Sequence, residues 1–345
     1  MINFANVKEW KIPVNGTQRD VKQVVHNNVV IWKKSSQHIE HFYVQNITNS
    51  TETVVAKIDE TYGSAHTRFL FVSDDAENWT LLGQITTSGV SFSLSPNAKK
   101  YVCFGAWNNS PHTGYPNSKG SGQSINLLGF SKVGGDICSL NVADYETRTT
   151  YPANANYGYC ELFNGNTNLI DASELLLRHD ILYKGIFMNT FYNCTSLVSA
   201  PDLPATTIAE ECYSRMFNYC TSLVNIPTIL PATTLAQSCY SYMFSSCSSL
   251  RIAPILPAPV LVNSCYYSMF SSVTSPSSLT YVKCLATSGF DAANCTKDWL
   301  DSCPLNGTFV KAAGTNWHID TTYSQAGGYY YFTKGIPSLW TVVEE

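Results

Sequence analysis

The residues of this 345-residue chain whose types could do chemistry are twelve cysteines, seven histidines and a few adjacent acids. A cysteine can serve as nucleophile, metal ligand or disulfide partner, and its spacing helps decide which. Cys212, Cys239 and Cys265 recur at one position of a repeated phrase, and Cys194, Cys220 and Cys247 recur at another. Val273 fills the second position in the last copy, which a packing role permits and a pairing role does not. No Cys-x-x-Cys occurs. Small residues repeated at fixed places read as core columns, so buried reduced thiols are expected in preference to disulfides or a metal site.

The remaining candidates are weaker. His38-Ile39-Glu40-His41 offers two imidazoles, but on a strand they point to opposite faces, and no helical His-Glu-x-x-His accompanies them. A solvated strand start is expected there. Glu210-Glu211 and Asp74-Asp75 fall at an expected helix start and a turn, where acids stabilise local structure. Ser73-Asp74-Asp75-Ala76-Glu77-Asn78-Trp79 resembles the Asp-box turn of sialidases, but lacks its glycine and carries Trp one residue early. A plain hairpin turn is expected. With no Gly-x-Ser-x-Gly, phosphate loop or dinucleotide fingerprint, neither an enzyme nor a cofactor is expected.

Composition narrows the partners. The formal charge is −4, with no basic cluster, which argues against nucleic acid. No apolar run reaches the roughly 18 residues of a membrane span. Met1 to Trp10 shows no basic region followed by an apolar one, so assembly in a cytoplasm is expected rather than export.

The elements that position these residues are repeats. Cys212 to Leu223, Cys239 to Leu250 and Cys265 to Phe270 are copies of one phrase, and Phe187 to Leu197 is a looser one. Phe163, Phe191, Phe217, Phe244 and Phe270 mark the copies, giving steps of 28, 26, 27 and 26. A period in this range is a solenoid signature. After Leu223 an extended run passes Ile226, Pro227, Leu230 and Pro231. Thr234-x-x-Gln237 and Thr207-x-x-Glu210 then read as capping boxes. Leu235, Cys239, Met243 and Cys247 fall four apart, the face of a three-turn helix. Phe191, Phe217, Phe244, Phe270, Cys220, Cys247, Leu223 and Leu250 are the expected repeat core. One unit cannot bury enough apolar surface to fold alone, so stacking must stabilise it.

The unit Met-Phe-x-x-Cys-x-x-Leu-x-x-x-Pro-x-Leu-Pro-x-Thr-Thr-Leu-Ala resembles the BspA-type leucine-rich repeat of Bacteroidales surface proteins and of proteins of their phages, including crAss-like phage fibre and tail appendages. Tyr281 to Ala286, Gly307 to Lys311 and Gly335 to Val342 are similar to the way such arrays close. The likeness covers residues 157–345. It implies a binding scaffold rather than fixed chemistry.

Four parts are therefore expected: a β-hairpin docking module at 1–35, an antiparallel β-sandwich at 36–150, an α/β leucine-rich-repeat solenoid at 151–285 and a C-terminal cap at 286–345. In the first, Val7 to Lys11 and Val21 to Val25 read as strands around a Pro13 to Thr17 turn, followed by Val29 to Trp32. The segment resembles docking segments of phage tail and fibre proteins, with Trp10, Ile12 and Trp32 as expected anchors; the alternative is an extra hairpin packed on the next domain. Six strands between Phe42 and Phe104 make the sandwich. Trp107 to Gly122 is a long polar segment: a floppy loop, an assembly contact, or a sugar contact through Trp107 and Tyr115. In the cap, Asp291 to Asp301 reads as a last helix, and Tyr329 and Tyr330 lie in a Tyr-rich insertion that is either a second contact surface or a decorated cap loop. The resemblance implies a virion head or tail appendage. Its partners would be capsid or tail proteins and a host cell-surface protein or glycan, in a homo-oligomer. The rival expectation is a bacterial surface or secreted adhesin with the same repeats.

Overall fold

The computed structural model describes residues 11–14, 17–20, 23–26, 29–33, 39–59, 68–105, 124–148, 150–151, 155–272, 277–321, 324–326 and 329–345. For residues 11–33, 59, 325–326 and 329–330 this covers the backbone alone. The chain divides into two compact units, Met1–Glu40 and His41–Glu345.

The first unit holds two antiparallel hairpins. β1 (Lys11–Val14) pairs with β2 (Thr17–Asp20), and β3 (Gln23–His26) pairs with β4 (Val29–Lys33). Val14 faces Thr17 across Asn15-Gly16, a dipeptide suited to two-residue hairpin loops because both positions tolerate positive φ. Pro13 and Val14, expected in the turn, pair with Gln18 and Thr17 instead.

In the second unit the six expected strands form, as β5 (Tyr43–Gln45), β6 (Glu52–Asp59), β7 (Phe69–Ser73), β8 (Thr80–Gln84), β9 (Val90–Leu94) and β10 (Lys99–Gly105). β11 (Ser124–Leu128) and β12 (Lys132–Asp136) follow. They build two sheets, one of three strands in the order β11-β6-β9 and one of six. Alternation explains the first: Val54 and Ala56 of β6 are buried, while Glu52's neighbour Thr53 is exposed. The six-stranded sheet runs β13-β12-β5-β10-β7-β8, and β13 (Asp171–Leu176) already belongs to the repeats. It lies parallel to β12, so the sheet passes directly into the repeat region. The three-stranded sheet reaches it too, through the Leu127 amide on Leu162 O at 2.7 Å.

Among the described residues there is no α-helix; the only helical pieces are 3-10 turns at Ile137–Leu140 and Tyr145–Thr147. This corrects the α part of the expected α/β architecture. From Glu211 to Cys220 the amides alternate in their use. Those of Cys212, Ser214, Met216, Asn218 and Cys220 each donate three residues back, to Ala209, Glu211, Tyr213, Arg215 and Phe217. Those between, on Glu211, Tyr213, Arg215, Phe217 and Tyr219, donate to Gln237, Cys239, Ser241, Met243 and Ser245 of the next copy. An α-helix keeps its interior amides for itself. Here half of them join neighbouring copies. The result is a ribbon of overlapping tight turns with positive φ at every fourth residue: Glu211 58°, Arg215 55° and Tyr219 63°. Each such non-glycine residue costs about 1–2 kcal/mol, which the bonds to the neighbouring copies offset.

The same ribbon recurs. Ser238, Tyr240, Tyr242, Phe244 and Ser246 donate to Asn263, Cys265, Tyr267, Met269 and Ser271. Ser264, Tyr266, Ser268, Phe270 and Ser272 donate to Ala293, Cys295, Lys297, Trp299 and Asp301. The helix expected at Asp291 to Asp301 is thus one more ribbon, with positive φ at Asn294, Asp298 and Ser302. Thr207 and Thr234 are not helix caps: they pair with each other in a parallel bridge. Other parallel bridges join Asp171 to Ser199, Ser199 to Asn225, and Ile252 to Tyr281. The series continues as a parallel sheet of β14 (Tyr281–Cys284), β15 (Thr308–Lys311) and β20 (Thr341–Glu344). Between its last two strands lie the parallel pair β16 (Ile319–Asp320) and β19 (Ile336–Pro337), and the hairpin of β17 (Ser324–Ala326) and β18 (Tyr329–Tyr331).

Two aromatic columns fill the interior. Phe163, Phe191, Phe217, Phe244 and Phe270 follow one another at centroid distances of 5.1, 5.3, 5.5 and 5.8 Å. Phe42 of the sheet region stacks on Phe163 at 6.1 Å. The second column runs Tyr159, Phe187, Tyr213, Tyr240, Tyr266, Trp299 and Trp317.

Candidate functional site

All twelve cysteines are free and buried. The Cys194, Cys220 and Cys247 thiols lie 3.0–3.1 Å from Phe163 O, Phe191 O and Phe217 O, each donating to an earlier copy. Burial pushes the Cys212, Cys265, Cys284 and Cys303 thiols up to about 12. Thiols held protonated are poor nucleophiles and poor metal ligands. Phe191, Phe217, Phe244, Phe270, Cys220, Cys247, Leu223 and Leu250 are all buried.

The weaker candidates have structural settings. Asp75 closes the β7–β8 turn by accepting from Ser73 Oγ, the Glu77 and Asn78 amides and Asn78 Nδ2. Those bonds, the two to Asn78 foremost, hold its carboxyl well below the usual carboxylate range. Lys100 pairs with Asp74 at 2.6 Å. His41 is not a solvated strand start: its ring packs against Tyr145, Trp79 and Tyr101 at 4.6, 5.8 and 6.4 Å. Glu210 and Glu211 tie the copies together, Glu210 to the preceding one through Lys184 at 2.7 Å and Glu211 to the one before that by accepting from Tyr157 Oη at 2.8 Å.

A polar junction joins the sheet region to the first copy. Arg178 donates to the buried Asp136 carboxylate and to the carbonyls of Arg148 and Tyr145. His179 packs edge-on against Tyr151 at 4.6 Å, and burial lowers its pKa. Gly135, at φ 75°, is required here, because a Cβ would meet His41 O at 2.0 Å.

Trp10, Trp107 and Tyr115 lie outside the described residues. Ile12 sits in β1 opposite Arg19, and Trp32 in β4 opposite Val24. Tyr329 and Tyr330 stand in β18 opposite Ala326 and Gln325.

The turn ribbons carry an outer ridge that sequence reasoning missed. Tyr192 meets Tyr219 edge-on at 5.6 Å, and Tyr242 meets Tyr267 at 5.0 Å. The exposed Arg215 guanidinium lies 4.8 Å above the Tyr242 ring, and Lys297 Nζ lies 5.8 Å above Tyr267. Beyond Lys297 opens a groove of about 400 Å³, whose wall includes Phe290, Asp291, Asn294, Lys297, Thr333 and Lys334. The signal was present in the repeat itself. Within otherwise matching copies, Arg215 and Tyr242 occupy the one position that changes between Cys-Tyr-Ser and Met-Phe. A variable position in a regular ribbon is one that the core does not dictate.

Comparison with family models, with curated proteins and with solved structures finds no match to this chain.

Proposed function

We propose that this chain is a phage virion structural protein, a head or tail appendage that docks through its N-terminal unit and presents the rest for attachment to host cells. In this proposal residues 41–150 form an antiparallel β-sandwich that covers the first coil of a BspA-type leucine-rich-repeat solenoid. The observation that carries it is the division of the chain. Met1–Glu40 is a compact unit of two hairpins, and His41–Glu345 is another, in which sheets and repeats share hydrogen bonds. Hairpins of four or five residues per strand are marginal alone and gain stability by pairing with a partner's sheet edge. A long stack that buries its aromatic columns suits rigid display.

The test is assembly. A chain shortened to begin at Gln37 should fold as well as the full chain but fail to join particles, as measured by immunogold labelling and virion copy number. Normal incorporation of the shortened chain would overturn the docking role. A lipidated or cleaved amino end on the natural protein, found by intact-mass spectrometry together with labelling on bacterial surfaces, would favour the adhesin.

A further inference from the structure

The ridge and groove of the turn ribbons form a charged surface whose members have little else to do. Arg215 is exposed, and the contact the structure gives it is the Tyr242 ring beneath its guanidinium. Stacking on a ring fixes the plane of a guanidinium and leaves its N–H edge free for a carboxylate or sulfate. Lys297 repeats the arrangement over Tyr267 and also lines the groove, where Lys334 joins it. Both lysines are exposed, and neither has a salt bridge among the described residues. One exposed acid, Asp291, stands on the same wall, and Asp298 beside Lys297 is half-buried. Asp301 and Asp320 lie beneath, accepting from the amides of Phe332, Thr333 and Lys334, so among the exposed groups named here three cations face one acid, on a chain whose formal charge is −4.

The tyrosine faces at Tyr242 and Tyr267 are covered by cations. Those faces are thus closed to stacking by a neutral sugar, while the adjoining groove carries hydroxyl and amide groups on Thr333 and Asn294. We propose that the ridge from Arg215 to Lys297 and the adjoining groove bind an acidic polysaccharide, with carboxylates or sulfates on Arg215, Lys297 and Lys334 and sugar hydroxyls on the neighbouring polar groups. The ridge crosses successive copies, from Arg215 to Tyr242 to Tyr267 to Lys297, so it offers a run of contacts to a linear polymer rather than one pocket to a small anion. This rests on the attachment role proposed above and names the chemical class of the surface glycan.

The experiment measures binding of the full chain to polygalacturonate, with dextran as the neutral polymer and polyglutamate as the acidic peptide, at low and high salt. Saturable binding to polygalacturonate should exceed that to both others and weaken with salt. Arg215→Ala, and Lys297→Ala combined with Lys334→Ala, should each reduce it about tenfold or more. Arg251→Ala, which removes an exposed charge on the strand side of the repeats, should leave binding and melting temperature unchanged. Equal binding of polyglutamate, or undiminished polygalacturonate binding by variants with wild-type melting, would overturn the proposal. Attachment of the chain to host cells or dextran without polygalacturonate binding would also overturn it and leave the attachment role standing. Polygalacturonate binding by a chain that never joins particles would remove the virion role and leave this surface standing.

Discussion

The sheets at residues 41–136 and the repeats that follow both satisfy their backbones between neighbours, but they do it by different means. In the sheets, an extended chain offers its amides sideways, and side chains alternate in and out, as Val54 and Ala56 do around Val55. In the repeats, a chain of tight turns offers every second amide to the next copy and keeps the others, so its inward residues recur at four. Cys212, Met216 and Cys220 point in, while Arg215 stays exposed. The comparison teaches that a spacing of four belongs to two structures, and that hydrogen bonds beyond the local segment decide between them.

Breaking the interior columns should have the largest effect. Phe217→Ala should cost about 3–5 kcal/mol in urea unfolding, with loss of amide protection in the copies on both sides, at 185–193 and 238–246. Loss confined to residues 211–220 would mean that the copies do not support one another.

A smaller effect with a telling sign comes from Ser238 and Ser264, held at φ 54° and 53°. Replacing both with Gly removes side-chain strain, and we expect a gain of roughly 0.5–1 kcal/mol. In a helix the same pair would lose about 1 kcal/mol. Urea midpoints of the double variant distinguish the two.

The two ends of the repeats should respond oppositely to acid. Burial raises the Asp301 carboxyl to about 6, from an ordinary 3.8. Its folded form therefore holds the proton more tightly, and stability rises as pH falls from about 6 toward 4. The half-buried carboxyl is partly screened, which limits the gain to about 1 kcal/mol. His179 works the other way. Burial lowers its pKa below the ordinary 6.5, so the unfolded chain takes the proton first and stability falls as pH drops below that value. From pH 7 to 5, amide protection factors, corrected for the intrinsic pH dependence of exchange, should rise around 298–302 and fall around 178–182. Equal change at both ends would contradict these assignments.

Much of this was legible in the chain. Alternation marked β5 to β10, because a half-buried strand writes its two faces into the sequence. The repeats were visible from Phe163 to Phe270, because a stacked column requires the same residue in each copy. The turn ribbon was not legible, since Leu235, Cys239, Met243 and Cys247 satisfy a helical spacing equally well and Thr234 mimics a cap. Nor was the parallel pairing of Lys132–Asp136 with Asp171–Leu176, which joins segments about forty residues apart and has no local signature. Tyr329 and Tyr330 stand out in the sequence as an aromatic cluster. Arg215, Lys297 and Lys334 carry no such signal, because no two are neighbours in the chain and only the stacking of copies relates them.

The central claim is that the repeats are hydrogen-bonded turn ribbons without α-helix. Far-UV circular dichroism of a chain comprising residues 41–345 tests it most directly. The account predicts a spectrum of sheets and turns, with no helical double minimum. Helical ellipticity that matches a three-turn helix in each copy would contradict it.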